Sequence, residues 1–412
     1  MTMPNATYTL DTHRFEYEDI SVLFENFYED SRSGIRVDAT VETSRFPKAG
    51  LLHQGLLYLV GSQSKQTFVR ALEHRRGNGF LDDVDFDGII AQTCALSYRR
   101  WKQGYPAVQL SSLEPSARSQ WLLYPYLQEW AVCVLFGDGE SGKSTLSEAI
   151  GLSVATGERV IGYDPAYSTG VLYLDWETEA ETHREILAAL ARGHGVSMPE
   201  NVWYRRMHTT LAAGIGAIRQ EVAIHDTHLI IVDSIGLAGG DEPERAGTKI
   251  AMFNALRTLQ ECTVLAIDHV AHADKSRPYG SVYTRNIARV VWGVTKDQDN
   301  TDEDTLRIAL RREKLNRGKS VTRQGFTMEF ANDTDGIARS IHLSRADPMD
   351  IPSFEKKAPL YTRLIHELRR GALTSQALAE SLDAKRDSVQ KTLNRNKNIF
   401  IHMEDETWGL RT

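Results

Sequence analysis

The sequence predicts an α/β fold with a mainly parallel central sheet, a helical region before it and a small helix-rich domain after it. Three observations carry this. An apolar run, Ala131 to Phe136, leads into a glycine-rich loop and then a helix-forming stretch. Further apolar runs at 171–175, 229–233 and 263–268 alternate with amphipathic stretches such as ETHREILAALARG and AMFNALRTLQE. That alternation is the rhythm of parallel strands joined by crossover helices. Beyond Pro348 and Pro352, apolar residues recur at helical spacing instead.

The chain has 412 residues, 41% hydrophobic and 25% charged, enough for two or three globular domains. No apolar run approaches the ~18 residues of a membrane span. The N-terminal MTMPNATYTLDTHRFEYED is polar and acidic, without a signal-peptide core. Cytoplasmic residence and no membrane partner are expected. Cys94, Cys133 and Cys262 lie far apart in apolar contexts and read as buried free thiols, not metal or redox ligands. A net charge of −7 excludes a basic nucleic-acid coat, so any DNA contact must be local.

Residues 1–115 read as a mostly helical accessory region. Its first part, to about residue 45, is polar with weak periodicity. LLHQGLLYLVG, QTFVRALEHRR and FDGIIAQTCALSYRRWKQG then read as helices. Pro106, Pro115 and SSLEPSARS mark a linker. Residues 116–347 form the α/β core, with LRIALRREK and GFTMEF as closing strands. Residues 356–412 hold helices PLYTRLIHELRRG, TSQALAESLD and KRDSVQKTLNRN, then two short strands around an acidic turn in IFIHMEDETWGL.

Gly137 to Ser144 match G-x-x-x-x-G-K-[ST], the phosphate-binding P-loop. Gly137, Gly139 and Gly142 permit turns that a side chain would block. The backbone from Gly137 through Asp138, Gly139, Glu140, Ser141, Gly142, Lys143, Ser144 and Thr145 would cradle the phosphates of ATP. Lys143 supplies a charge near the β- and γ-phosphates, and the Ser144 hydroxyl can hold Mg²⁺. A helix starting near Lys143 aims its positive end at the same group.

LIIVDSIG ends an apolar strand in Asp233, expected on a strand next to the P-loop strand and therefore placed to organise Mg²⁺. VLYLDWETE delivers Asp175, Glu177 and Glu179. Glu177 is the candidate for orienting or deprotonating water, with Asp175 behind it. The other reading is a solvated first helical turn, where acids suit the dipole. His269, after Asp268 in AIDHVAHADK, reads either as a γ-phosphate sensor or as a core histidine. With His272 alone beside it, it makes no metal set. Lys275 and Arg277 follow in a polar stretch suited either to a polyanion or to solvent. LRREKLNRGK concentrates cations, of which Lys314 and Arg317 could enter a neighbouring subunit's nucleotide site as an arginine finger does. Arg289 is a further candidate, and a basic exposed hairpin is the alternative.

GDGESGKST, VLYLDWETE, LIIVDSIG, VLAIDHVAH, YGSVYTRNIARVVW and LRREKLNRGK occur in that order. Together they resemble a RecA-like ATPase, of the branch similar to plasmid RepA and phage replicative helicases, over roughly residues 120–345. The resemblance implies a RecA core in a hexameric ring. Lys143 and Ser144 would bind phosphate and Mg²⁺, Glu177 would activate water, and Asp233 would hold Mg²⁺. His269 would sense the γ-phosphate, and Lys314 or Arg317 would act across the subunit interface. Loops after Asp233 (GLAGGDEPERAGTK) and after His269 would line a channel for single-stranded DNA. The first of these loops departs from that pattern, being rich in Asp and Glu.

The C-terminal zone resembles a winged helix-turn-helix. Leu378, Leu382, Val389 and Leu393 give the spacing of two packed helices. Lys385, Arg386, Ser388, Gln390, Lys391 and Arg395 suit phosphate and base-edge contacts with duplex DNA. From Lys356 to Thr412, eleven Lys/Arg face seven Asp/Glu, a net charge of +4 within a chain of −7. The acidic wing, Glu404 to Glu406, would repel phosphate, and such domains also bind proteins. The expected function is a hexameric, ATP-driven DNA helicase of a phage, plasmid or other mobile element, with a replication protein as partner. The alternatives are an ATP-dependent DNA-binding regulator without helicase activity and a protein-remodelling ATPase.

Overall fold

Alternating burial builds the first part of the chain. The computed structural model describes residues 3–9, 12–30, 34–46, 50–76, 80–104, 107–112, 121–240, 245–259, 261–270, 282–298, 300–316, 318, 321–355, 358–403 and 405–411. Strands β1 (Asn5–Tyr8), β2 (Thr12–Tyr17), β3 (Ile20–Asp30), β4 (Gly34–Thr43) and β5 (Leu51–Tyr58) pair antiparallel in sequence order. In β4, Ile35, Val37, Ala39 and Val41 are buried and the residues between them are not, as a half-buried pleated strand requires. Helices α1 (Ser62–Glu73) and α2 (Phe86–Gln103) follow. They add Phe68, Leu72, Phe86 and Ile90 to the same core. The mostly helical reading of 1–115 is thereby corrected. The two later helices stand where expected, but LLHQGLLYLVG supplies β5, which pairs with β4 and buries Leu52 and Leu57.

From residue 119 a second unit begins. The hairpin β6 (Trp121–Leu123) and β7 (Leu127–Gln128) leads to β8 (Val132–Gly137), α3 (Lys143–Thr156), β9 (Gly170–Asp175), α4 (Ala180–His194) and β10 (Val202–Arg206). Helix α5 (Leu211–Ile224) belongs to the first unit and packs on β3. Strand β11 (Thr227–Asp233) and the one-turn α6 (Ile235–Ala238) precede α7 (Ala246–Thr258), which packs on α5 in the first unit. The first unit therefore comprises residues 1–118, 208–225 and 238–261, whereas the sequence reading kept 116–347 continuous. The second unit resumes with β12 (Thr263–His269), α8 (Val282–Ile287), β13 (Val290–Lys296), β14 (Thr305–Leu315), β15 (Arg323–Asn332) and β16 (Ala338–Ala346).

The sheet order is β10-β9-β11-β12-β8-β13-β14-β15-β16. The first six strands are parallel and the last three antiparallel. Expected strands at 171–175, 229–233 and 263–268 are β9, β11 and β12, and the two closing strands are β14 and β15. One expectation is corrected. The neighbour of β8 on this side is β12, not the Asp233 strand β11.

The antiparallel end of the sheet curls back over α3. Leu306 and Met328 from β14 and β15 lie against Gly142, and β16 packs on α4. Helix α3 is consequently buried on nearly all sides, the usual state of a helix apolar all round. The contact between α4 and β16 is close. His194 Nε2 accepts from the Leu343 N–H at 3.1 Å, and a Cβ on Gly193 would stand 2.1 Å from the Ile341 carbonyl oxygen.

The chain ends in α9 (Pro352–Glu355), α10 (Leu360–Arg370), β17 (Leu373–Thr374), α11 (Ser375–Ser381), α12 (Arg386–Arg395), β18 (Phe400–His402) and β19 (Thr407–Leu410). Helices α10 to α12 enclose Leu364, Leu368, Leu378, Val389, Leu393, Phe400 and Trp408. A three-stranded sheet, ordered β17-β19-β18, covers them. Thr374 caps α11, its hydroxyl accepting from the Ala377 N–H at 3.2 Å. All three cysteines are free and buried. Among the described residues, no helix is long and apolar enough to cross a membrane.

Gly193→Ala drives a methyl group into the β16 backbone, which cannot rotate away. It should lower unfolding free energy by about 1–3 kcal/mol, read as a fall in the denaturant midpoint. An unchanged midpoint would show that α4 does not seat on β16 in this way.

Candidate active site

A parallel strand meets a helix start at Gly137 to Lys143, and the loop between them leaves donors uncovered. Gly142 is left-handed (φ 76°) and caps α3 with no side-chain acceptor, so the first helical N–H groups stay open to an anion. No atom lies within 4 Å of a Cβ built on Gly139. The Ser141 hydroxyl donates to the Asp138 carbonyl at 2.7 Å and ties the loop across itself. Lys143 is 6% exposed. Its ammonium donates to the carbonyls of Gly137 (3.1 Å) and Asp138 (2.6 Å). Burial pushes Lys143 below the usual lysine range, against the pull of Asp233, Asp138, Asp268 and Glu177. A phosphate would give this cation a counter-charge.

Although β12 separates β11 from β8, Asp233 still reaches the loop. The Ser144 hydroxyl donates to its Oδ2 at 3.1 Å. Burial, and then the nearby Asp175, raise the Asp233 carboxyl to about 6. A hydroxyl beside a carboxylate is the hard-oxygen donor pair that suits Mg²⁺. Ser144 and Asp233 would hold that ion, which would neutralise charge on the bound phosphates. Glu177 follows β9, and its Oε1 accepts from the Ser234 hydroxyl at 2.7 Å. It is exposed on the same edge as Asp233, as a water-orienting group must be. A cavity of about 550 Å³ opens beside the loop, walled by Asp138, Gly139, Val294, Arg311, Arg323 and Phe354 among others. Its size suits a nucleoside.

Residues 105–275 match the family model described as an AAA domain. The matched stretch contains the Gly137–Ser144 loop and strands β8, β9, β11 and β12. The chain is also similar to the KaiC-like protein PH0186 from the hyperthermophilic archaeon Pyrococcus horikoshii OT3. That similarity covers 54% of this chain and 93% of that one, at 16% identity and a TM-score of 0.39. No curated protein matches the chain.

Other expected site residues take definite places. His269 ends β12, in register with Gly137 and exposed, so it borders the loop and is not a core histidine. Lys314 lies on β14, where its ammonium donates to the carbonyls of Arg285 and Asn286, both at 2.7 Å, and closes the end of α8. Arg289 is exposed at the start of β13. Arg317, His272, Lys275, Arg277 and Glu404 lie outside the described residues, as do 241–244 of the acidic loop.

Three further groups were not singled out in the sequence. Ser234 holds Glu177. Glu148, one turn after Ser144 on α3, is buried near Asp175, and His183 on α4 is partly buried between them. His183 Nε2 is 2.5 Å from Asp175 Oδ2, and its Nδ1 pairs with Glu148 Oε1. Glu148 stood out only as an acid within an apolar helix, and His183 gave no local signal. Burial alone would lower His183. Its hydrogen bonds to Asp175 and Glu148 overcome this and lift it to about 10. Burial raises Glu148. Burial also opposes ionisation of Asp175, but His183 and the N–H groups of Thr178 and Glu177 hold it below the usual range.

A histidine raised from 6.5 in the unfolded chain contributes stability fully below that pH and loses it as pH climbs towards about 10. Thermal midpoints of the nucleotide-free protein should therefore fall between pH 7 and 10. The fall should be shallower in the paired variant Glu148→Ala/His183→Ala. Parallel curves would show that His183 is not held as an imidazolium.

Proposed function

We propose that this protein is an ATP-driven motor acting on DNA, with the P-loop domain hydrolysing ATP and the C-terminal helices gripping duplex DNA. The observation that carries the DNA part is the charge on α12. Lys385, Arg386, Ser388, Lys391 and Arg395 are all exposed around this helix, while Val389 and Leu393 are buried beneath them. Three helices, a three-stranded sheet and a cationic last helix support reading residues 356–412 as a winged helix, with α12 suited to a major groove. A replicative helicase of a mobile element, working as a hexameric cytoplasmic ring with single-stranded DNA in its channel, is the fullest form of this proposal. A replication protein would be its partner.

In the proposed reaction, Lys143 and the open N–H groups of the loop bind the phosphates. Ser144 and Asp233 hold Mg²⁺. Glu177, steadied by Ser234, orients the attacking water. His269 stands where it could report on the γ-phosphate to the chain after β12. Lys314 or Arg317 would supply a cation in trans. For Lys314 this requires its release from the two carbonyls of α8. A second reading, an ATP-dependent regulator or remodelling ATPase that recruits a protein, is favoured by the exposed acids Asp405 and Glu406 between β18 and β19, which repel a phosphate backbone.

ATP turnover should rise on adding single-stranded DNA and vanish in Lys143→Ala. The logarithm of duplex affinity should fall linearly with log salt concentration, and Lys391→Ala should lower that slope by about one. Turnover indifferent to DNA, with duplex affinity intact, would favour the regulator. Absence of both would leave the protein-remodelling reading.

A further inference from the structure

Between the phosphate-binding helix and the turn that carries Glu177 runs an unbroken chain of buried polar contacts. It starts at Glu148, on α3 one turn beyond Ser144. It crosses to His183 on α4 and ends at Asp175, the last residue of β9. Glu148 and Asp175 are each 1% exposed, and the His183 side chain is 11% exposed. The second oxygen of the end group does the positioning. Asp175 Oδ1 accepts from the backbone N–H of Glu177 at 2.5 Å and of Thr178 at 2.9 Å. The turn that aims Glu177 is thus tied to a carboxylate whose other oxygen is fixed by His183, while Tyr204 and Arg206 hold its far side at the Thr178 carbonyl. Tyr173 and Tyr204 flank the imidazole, with ring centroids 5.3 and 5.2 Å away. They block rotation about its side-chain bonds. Both ring nitrogens face a carboxylate oxygen, so the imidazolium, with two donors, satisfies both at once.

We propose that His183 is a positioning residue for ATP hydrolysis, clamping the Glu177 turn to the P-loop helix through Asp175 and Glu148. The proposal rests on the ATPase reading above and adds a residue to it. Its physical content is rigidity. Water attack is sensitive to displacements of about 1 Å, which can cost about 100-fold in rate. The His183 ring bonds to the two carboxylates, so its loss acts on turnover through Glu177 and leaves the phosphate cradle in place.

The test is a double-mutant cycle between His183→Ala and Glu177→Gln, with ATP turnover and the Kd for Mg²⁺-ATP measured on each full-length protein. His183→Ala should lower kcat by about 10-fold or more and leave the Kd within about 3-fold. In the Glu177→Gln background, the same change should alter kcat by less than about 2-fold, because the group it positions is gone. An equal loss in both backgrounds, or a loss confined to the Kd, overturns the proposal. If His183→Ala does not fold, Glu148→Ala/His183→Ala replaces it, since removing the second buried acid with its partner leaves one buried carboxylate, Asp175, which still accepts from the N–H groups of Glu177 and Thr178. The same two outcomes then apply. A wild-type protein that binds Mg²⁺-ATP without turning it over refutes the hydrolytic reading itself, a result separate from failure of the cycle.

Discussion

Enclosure of α3 organises the P-loop domain. An ordinary crossover helix covers one face of a sheet and shows its other face to water. Here the strands after β13 turn antiparallel and curl back, so that Leu306, Met328 and the α4–β16 layer lie over the far side of the helix. Leu146, Ile150, Leu152 and Val154 are all fully or almost fully buried. Burying this much apolar surface fixes the helix axis, and the axis fixes where its uncapped N–H groups point. The same enclosure seals Glu148 from solvent and obliges it to find a partner. His183 is that partner.

The polar site is therefore a consequence of apolar packing. Ser144 meets Asp233 even though a strand intervenes, because α3 starts above the carboxyl ends of several strands at once. That crevice is where open parallel sheets bind ligands. Acids gather there at the ends of β9 and β11, and their mutual repulsion, added to burial, explains the raised carboxyl of Asp233. A lysine and a bound divalent cation would oppose that repulsion.

Much of this was legible in the sequence. The P-loop, the apolar runs ending in Asp175, Asp233 and Asp268, and the three C-terminal helices follow from local spacing and strong apolar patterning. What failed did so for physical reasons. In β4 the period-2 pattern of Ile35, Val37, Ala39 and Val41 was present, but charged and polar neighbours diluted it. LLHQGLLYLVG carries as many leucines as a helix would, and only pairing with β4 makes it a strand. Helices α5 and α7 look like ordinary crossovers, yet they join the first unit, which no local pattern encodes. His183 and Ser234 gain their roles from contacts 35 and 57 residues away, with Glu148 and Glu177 respectively. Strand order, which placed β12 beside β8, is likewise a tertiary choice.

The central claim is that phosphates sit on the open end of α3 with Glu177 facing them. It is tested most directly by a structure of the protein with Mg²⁺ and a non-hydrolysable ATP analogue. The account predicts phosphate oxygens on the backbone N–H groups between Gly139 and Thr145. It predicts Lys143 swung from its own loop carbonyls onto those oxygens, and the Glu177 carboxylate within one water of the γ-phosphate. Phosphates bound elsewhere, or a γ-phosphate served by another acid with Glu177 turned to solvent, would contradict it.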